Sequence, residues 1–150
     1  MFLDAEELKS VAYDYQLNEI IEEDESILHM AIDAAVEEMK SYLSPNKDSL
    51  VRYDVTVIFA ATGTDRNPLI LELCKSIALW YICRLSNVDI ILEKVKDRYD
   101  RAIDWLEKVS GTGKSSGSSS ISPGLPVLPD PDSNGTLPFR SGSREKFNHE

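Results

Sequence analysis

Residues 67–86, NPLILELCKSIALWYICRLS, decide the fold. Asn67 has a side-chain oxygen suited to bond the free N–H groups of a helix's first turn. Pro68 fits the first helical position, where its fixed φ helps and its missing N–H costs nothing. From Leu69 to Leu85 the chain is apolar on nearly every side, broken only by Glu72, Lys75, Ser76 and Arg84. A surface helix shows one apolar stripe, whereas a helix apolar all round is enclosed by its neighbours. The stretch therefore predicts a central helix, with Leu73 and Trp80 among its core residues.

The flanking segments carry the one-sided pattern that such a helix needs around it. Upstream, Leu28, Ile32, Ala35, Met39 and Tyr42 recur at intervals of three and four, so a helix begins after Asp24 and stops before Pro45. His29 sits beside this stripe and reads as a structural residue. Downstream, Val88, Ile91, Leu92, Val95, Tyr99, Ala102, Ile103 and Leu106 mark a helix from near Asn87, with Asp89 in its first turn. Gly111 and Gly113 end it. Its polar positions mix Lys94, Lys96, Arg98, Arg101 and Lys108 with Glu93, Asp97, Asp100, Asp104 and Glu107. Interspersed signs predict i,i+4 pairs on a wet face rather than a phosphate-binding stripe.

Two shorter segments read less simply. FLDAEEL opens a short helix: Asp4 is the cap, Glu7 completes a capping box, and Leu3 and Leu8 form a hydrophobic staple. YDYQLNEIIEED after it fits no single pattern. In LVRYDVTVIFA (50–60) the apolar residues Val51, Tyr53, Val55 and Val57 alternate, which on pattern alone predicts a strand. The chain offers it no partner strand, and an isolated strand is unstable.

Composition divides the 150 residues. Residues 1–110 hold one glycine and two prolines, whereas 111–150 hold six glycines, five prolines and nine serines. Half of those 40 positions cannot contribute to a core. The expected organisation is a helical body, 1–110, and a Ser/Gly/Pro-rich C-terminal arm, 111–150. The net charge of −10 also sits in one place, because residues 1–50 carry 13 acids against three lysines and the rest of the chain balances. So acidic a chain is a poor general binder of nucleic acid, which is held by Lys and Arg on phosphates. No apolar run reaches the roughly 18 residues of a membrane span. MFLDAEELK has no apolar stretch of the kind a secretory signal requires.

A search for chemistry returns no catalytic set. No Walker loop, G-x-S-x-G or H-E-x-x-H is present. ATGTDRNP has a single glycine and reads as a turn into a helix cap, and EEDES lacks the spaced oxygens and central glycine of a calcium loop. Cys74 and Cys83, nine residues apart on one helix, are separated by about 13 Å, which is beyond disulfide reach. They read as small buried apolar groups. With His29 and His149 as the histidines, no zinc site is indicated. No enzymatic activity, cofactor or metal is expected.

Ordered motifs go further. The string RYDVTVIFAATGTDRNPLILELCKSIALWYICRL, then KDRYDRAIDWLEKVSGTGK, then GLPVLPD and a closing SREKFNHE, resembles a family of tailed-phage neck proteins. This is the Mu-type head-morphogenesis family, related to head–tail connector (adaptor) proteins. The serine-rich SSGSSS and the final Glu150 depart from the usual pattern. The resemblance implies an all-α fold, a small four-helix connector-type body with an extended, irregular arm. It also implies a structural virion protein, made in the host bacterial cytoplasm and located in the neck. There it would form a ring, twelvefold like the portal, that joins the portal protein to the tail or a tail-stopper and extends the DNA channel. DNA would pass through the lumen without specific binding.

In that setting the arm is the expected attachment device to the portal or a neighbouring subunit, through Leu125, Val127, Leu128, Phe139, Arg144, Lys146 and Phe147. Asp24, Glu25, Glu37 and Glu38 are candidates to face the channel, where negative charge would keep DNA from adhering. Two other readings stand beside it: a tail-completion or tail-terminator protein, and a free cytoplasmic helical adaptor with a peptide-binding tail.

Overall fold

The computed structural model describes residues 1–9, 24–45, 51–86, 92–111, 121 and 123–129. It is all-α, with five helices among the described residues. The first, α1, spans Ala5–Lys9. The Glu7 carboxylate reaches back to accept from the Asp4 N–H at 3.1 Å, and Leu3 and Leu8 are wholly buried. The second, α2, runs Glu25–Leu43. The Asp24 side chain caps it by accepting from the Ser26 N–H at 3.0 Å, and the chain turns extended at Ser44, ahead of Pro45. Its buried face is Leu28, Ala31, Ile32, Ala35, Met39 and Leu43.

The expected strand over 50–60 does not form. Residues 55–60 make a short helix, α3 (Val55–Ala60), because the Asp54 carboxylate accepts from the Val57 N–H at 3.2 Å and starts a helical turn. The turn sends Ile58 and Phe59 inward and leaves Val57 exposed. Alternation of β-branched residues was outweighed here by a capping aspartate. A 3-10 turn, Gly63–Asp65, follows, with Gly63 at φ +58°.

Helix α4, Pro68–Ser86, starts as the Asn-Pro pair predicts: Asn67 Oδ1 accepts from the N–H groups of Leu69 at 3.0 Å and Ile70 at 3.1 Å. Helix α5 spans Leu92–Ser110 and ends at Gly111, whose φ of +76° suits only glycine well and whose N–H bonds Glu107 O at 2.9 Å. Its expected start near Asn87, and Gly113, lie outside the described residues.

Helix α4 packs against both α2 and α5, and α2 meets α5, so the three long helices enclose one core with α4 at its centre. Ile70, Cys74, Ile77, Ala78 and Ile82 of α4 are wholly buried, facing Leu28, Ile32 and Met39 of α2 and Ala102 and Leu106 of α5. Leu73 and Trp80, expected in the core, are half-buried. Trp80 lies flat on Tyr99 with ring centroids 5.1 Å apart, covering the seam between α4 and α5 rather than filling the centre. A bulky ring is accommodated at the edge of a three-helix core more readily than inside it.

A second correction concerns the arm. Residues 123–129 return to the body as an extended strap. The Asp54 N–H donates to Pro126 O at 2.9 Å and the Leu128 N–H to Arg52 O at 2.6 Å, forming an antiparallel bridge between Tyr53 and Val127. Leu125 is 7% exposed and belongs to the core, with Ile121 packed against it. The expected boundary at residue 110 therefore does not separate this part of the arm from the body.

Candidate functional site

The strap, α3 and the turn into α4 surround an open depression of about 510 Å³, lined by Val57, Ala60, Ala61, Asn67, Leu125 and Pro126 among others. Arg66 holds this region to the N-terminus. Its Nη1 donates to Phe2 O at 2.8 Å and Glu7 Oε2 at 2.7 Å, its Nη2 to Glu7 Oε1 at 2.6 Å, and its Nε to Gly63 O at 2.9 Å. These bonds hold the Glu7 carboxyl down at about 2. The Phe2 and Phe59 rings meet edge to face at 5.0 Å beside the clamp. Arg66 falls within the quoted R-N-P-L motif, yet nothing in the local spacing predicted Glu7, 59 residues away, as its partner.

Of the arm residues singled out for attachment, three are described. Leu125 is buried in its own subunit, so it is not free for a neighbour. Val127 is 58% exposed and Leu128 is half-exposed. Phe139, Arg144, Lys146 and Phe147 lie outside the described residues.

The four acids proposed for the channel do not share one environment. Asp24, Glu25 and Glu37 are exposed. Capping lowers the Asp24 carboxyl below its ordinary range, chiefly through the Ser26 hydroxyl and N–H. Glu38 turns instead toward α5, where Oε1 accepts from the Tyr99 hydroxyl at 2.6 Å. Burial, then the hydrogen bond to the Glu38 carboxylate, pushes the Tyr81 and Tyr99 hydroxyls above the usual phenol range. Tyr42 is raised by burial and by Glu107 and Glu38. Glu38 Oε2 is buried with no hydrogen-bond partner. This carboxylate is thus an interhelical contact. His29, expected beside the packed stripe, is exposed.

Helix α5 bears the i,i+4 pairs its mixed charges predict: Lys96–Asp100 at 2.8 Å, Asp97–Arg101 at 3.2 Å and Asp104–Lys108 at 2.6 Å. All are solvent-exposed and individually weak. Sequence reading missed that the two signs are sorted. Lys94, Arg98, Arg101 and Lys108 follow a 4-3-7 spacing with half-buried Trp105 in the gap, while Glu93, Asp97, Asp100, Asp104 and Glu107 form the adjacent row. Reading the positions on a helical wheel, rather than counting signs, would have found it.

Among the described residues no group of three or more His, Cys, Asp or Glu side chains could hold a metal, and no helix is long and apolar enough to cross a membrane. Cys74 and Cys83 are free and buried, and burial pushes the Cys74 thiol up to about 12.

These features define an all-helical protein with a strapped apolar depression, an acidic outer helix and a charge-sorted helix. Residues 3–120 match the family model of bacteriophage Mu Gp36. The chain belongs to that family and is a bacteriophage protein. The match spans all five helices and ends just before the strap. No curated protein and no solved structure matches the chain.

Proposed function

We propose that the protein is a structural component of the virion neck: an adaptor subunit that forms a ring on the portal, extends the DNA channel and joins it to the tail or tail-stopper. The observation that carries this reading is membership of the Mu Gp36 family over residues 3–120, together with the ordered neck-protein motifs from RYD (52–54) to AIDWL (102–106). The small bundle with charged outer faces suits it, because a body of about 110 residues, with a radius of gyration near 13 Å, reaches a wide ring only by repetition. In this reading Asp24 and Glu25, exposed at the N-terminal end of α2, would line the lumen and repel passing phosphates. The role calls for no catalytic step, cofactor or metal, and the ring takes the portal's twelvefold symmetry.

The test is to mix the purified chain with portal rings and image the product by electron microscopy. A ring of added density below the portal, coaxial with it, is expected. Density on tail tubes and none on portals would instead favour a tail terminator. A chain that stays monomeric and binds neither would overturn the reading.

A further inference from the structure

The outer face of α2 and the basic row of α5 are matched in charge, spacing and apolar content. On α2, Met30, Asp33 and Glu37 fall within an arc of about 60° at 100° per residue. All three are exposed, Met30 at 58%. On α5, Trp105, Arg101 and Arg98 fall within a similar arc, with Trp105 half-buried and both arginines exposed. Among the described residues Asp33 and Arg98 make no ion pair, and Glu37 and Arg101 are held by neighbours on their own helices, half-buried Lys40 and exposed Asp97. Such pairs exchange partners at little cost.

Moving along α2 from Met30, Asp33 stands about 4.5 Å on and Glu37 about 10.5 Å on, at 1.5 Å per residue. Moving back along α5 from Trp105, Arg101 stands about 6 Å away and Arg98 about 10.5 Å away. Laid antiparallel, the two helices place Met30 on Trp105, Asp33 by Arg101 and Glu37 by Arg98. A thioether against an indole is a favourable contact, and each acid meets a base. With Met30 held on Trp105, a parallel arrangement puts only Lys108 opposite an acid.

We infer that the Met30–Asp33–Glu37 face of α2 docks antiparallel on the Trp105–Arg101–Arg98 face of α5 in a second copy of this chain. Both faces belong to every subunit and they differ, so the contact can run head-to-tail, and where its rotation closes it makes a ring. The complementarity argues for a second copy as the occupant: every subunit carries both the acidic and the basic face, and with a net charge of −10 on each self-association needs such a local match. Glu37, read from the sequence as a channel residue, is assigned to this contact instead. The inference rests on the ring reading above and specifies how the ring closes.

Charge reversal tests it on the full chain, with assembly read by sedimentation and by electron microscopy on portals. D33K/E37K and R98E/R101E should each weaken self-association at least tenfold while leaving the melting temperature within about 2 °C, since all four side chains are exposed. Mixing the two variants should restore assembly, because each supplies the face the other has lost. A single chain carrying all four changes should also assemble. If both variants assemble like the wild type, this contact is wrong while the ring reading stands. If the wild type itself never assembles, alone or on portals, both fall. If R98E/R101E assembles normally but loses binding to duplex DNA, the basic row faces phosphate and the inference is overturned.

Discussion

The bundle of α2, α4 and α5 and the strapped region of residues 51–66 and 123–129 hold the chain together by different means. In the bundle the helix ends carry local signals, α2 and α5 each present a periodic apolar face, and these close over α4. In the strapped region neither part is self-sufficient. Helix α3 has six residues, and the strap makes one bridge. The local sequence sets the bundle helix by helix, whereas the strapped region exists through contacts between segments 59 or more residues apart: Glu7 with Arg66, and Arg52–Asp54 with Pro126–Leu128. The lesson is that a chain can write its core in short-range code and its working edge in long-range code.

The contrast can be broken most forcefully at the core. Ile77→Ala removes a wholly buried side chain at the centre of α4 and should cost about 2–5 kcal/mol. Trp80→Ala should cost less than that site's size suggests, because the ring is half-exposed at the seam. Melting curves that ranked the two the other way would show the core to be centred on the α4–α5 seam.

Leu125→Ala should cost about 2 kcal/mol, the lower end for a leucine truncation, since the site lies at the rim of the core. Deleting residues 121–150 should destabilise the body by at least as much. A deletion that left the melting temperature unchanged would mean that the strap contributes nothing to the body.

Glu7→Gln should cost about 1.5–3 kcal/mol, the range for hydrogen bonds to a charged group. The carboxyl sits near 2 when folded against an ordinary 4.5. The folded state therefore binds fewer protons, and the clamp's contribution is complete above about 4.5 and lost as pH falls toward about 2. Stability measured by urea titration across that window should fall less steeply in Glu7→Gln than in the wild type; parallel curves would remove the clamp from the account.

The smallest effect is expected on α5. Lys96→Ala, which breaks an exposed pair with Asp100, should change stability by about 0.5 kcal/mol or less. A larger loss would mean that the charge rows hold the helix itself rather than awaiting a contact.

Much of the bundle was legible. Asn67-Pro68, Asp24 with Pro45, and Gly111 each announce a helix end through chemistry confined to a single turn. The 3.6-residue period names the buried faces of α2 and α5. The apolar run on α4 named the central helix but not its inner side, since a helix apolar all round has no phase. Trp80 was misplaced for that reason. The strand expected over 50–60 failed because Asp54 serves as a cap, and the same four-letter spacing is silent unless the chain has already turned. Leu125 was read as available for a neighbour because nothing near it in sequence reveals that Arg52 and Asp54 supply the partner backbone for the strap. Glu38 looked like one more surface acid; only the approach of α5 gives it Tyr99. The charge rows of α5 were present in the sequence throughout, hidden by attention to the mixture of signs instead of their phase.

The two buried cysteines give the molecule an internal clock. Only a thiolate reacts with ordinary thiol reagents. Cys74 is fully enclosed and held near 12, and Cys83 beside the same core is also raised by burial. Both lie on α4, the helix the other two long helices enclose, and Cys74, at the middle of that enclosure, is reached when the bundle opens. Labelling of Cys74 in the unaltered protein therefore counts openings of the bundle. Motion at the strap or along the outer helices leaves the count at zero.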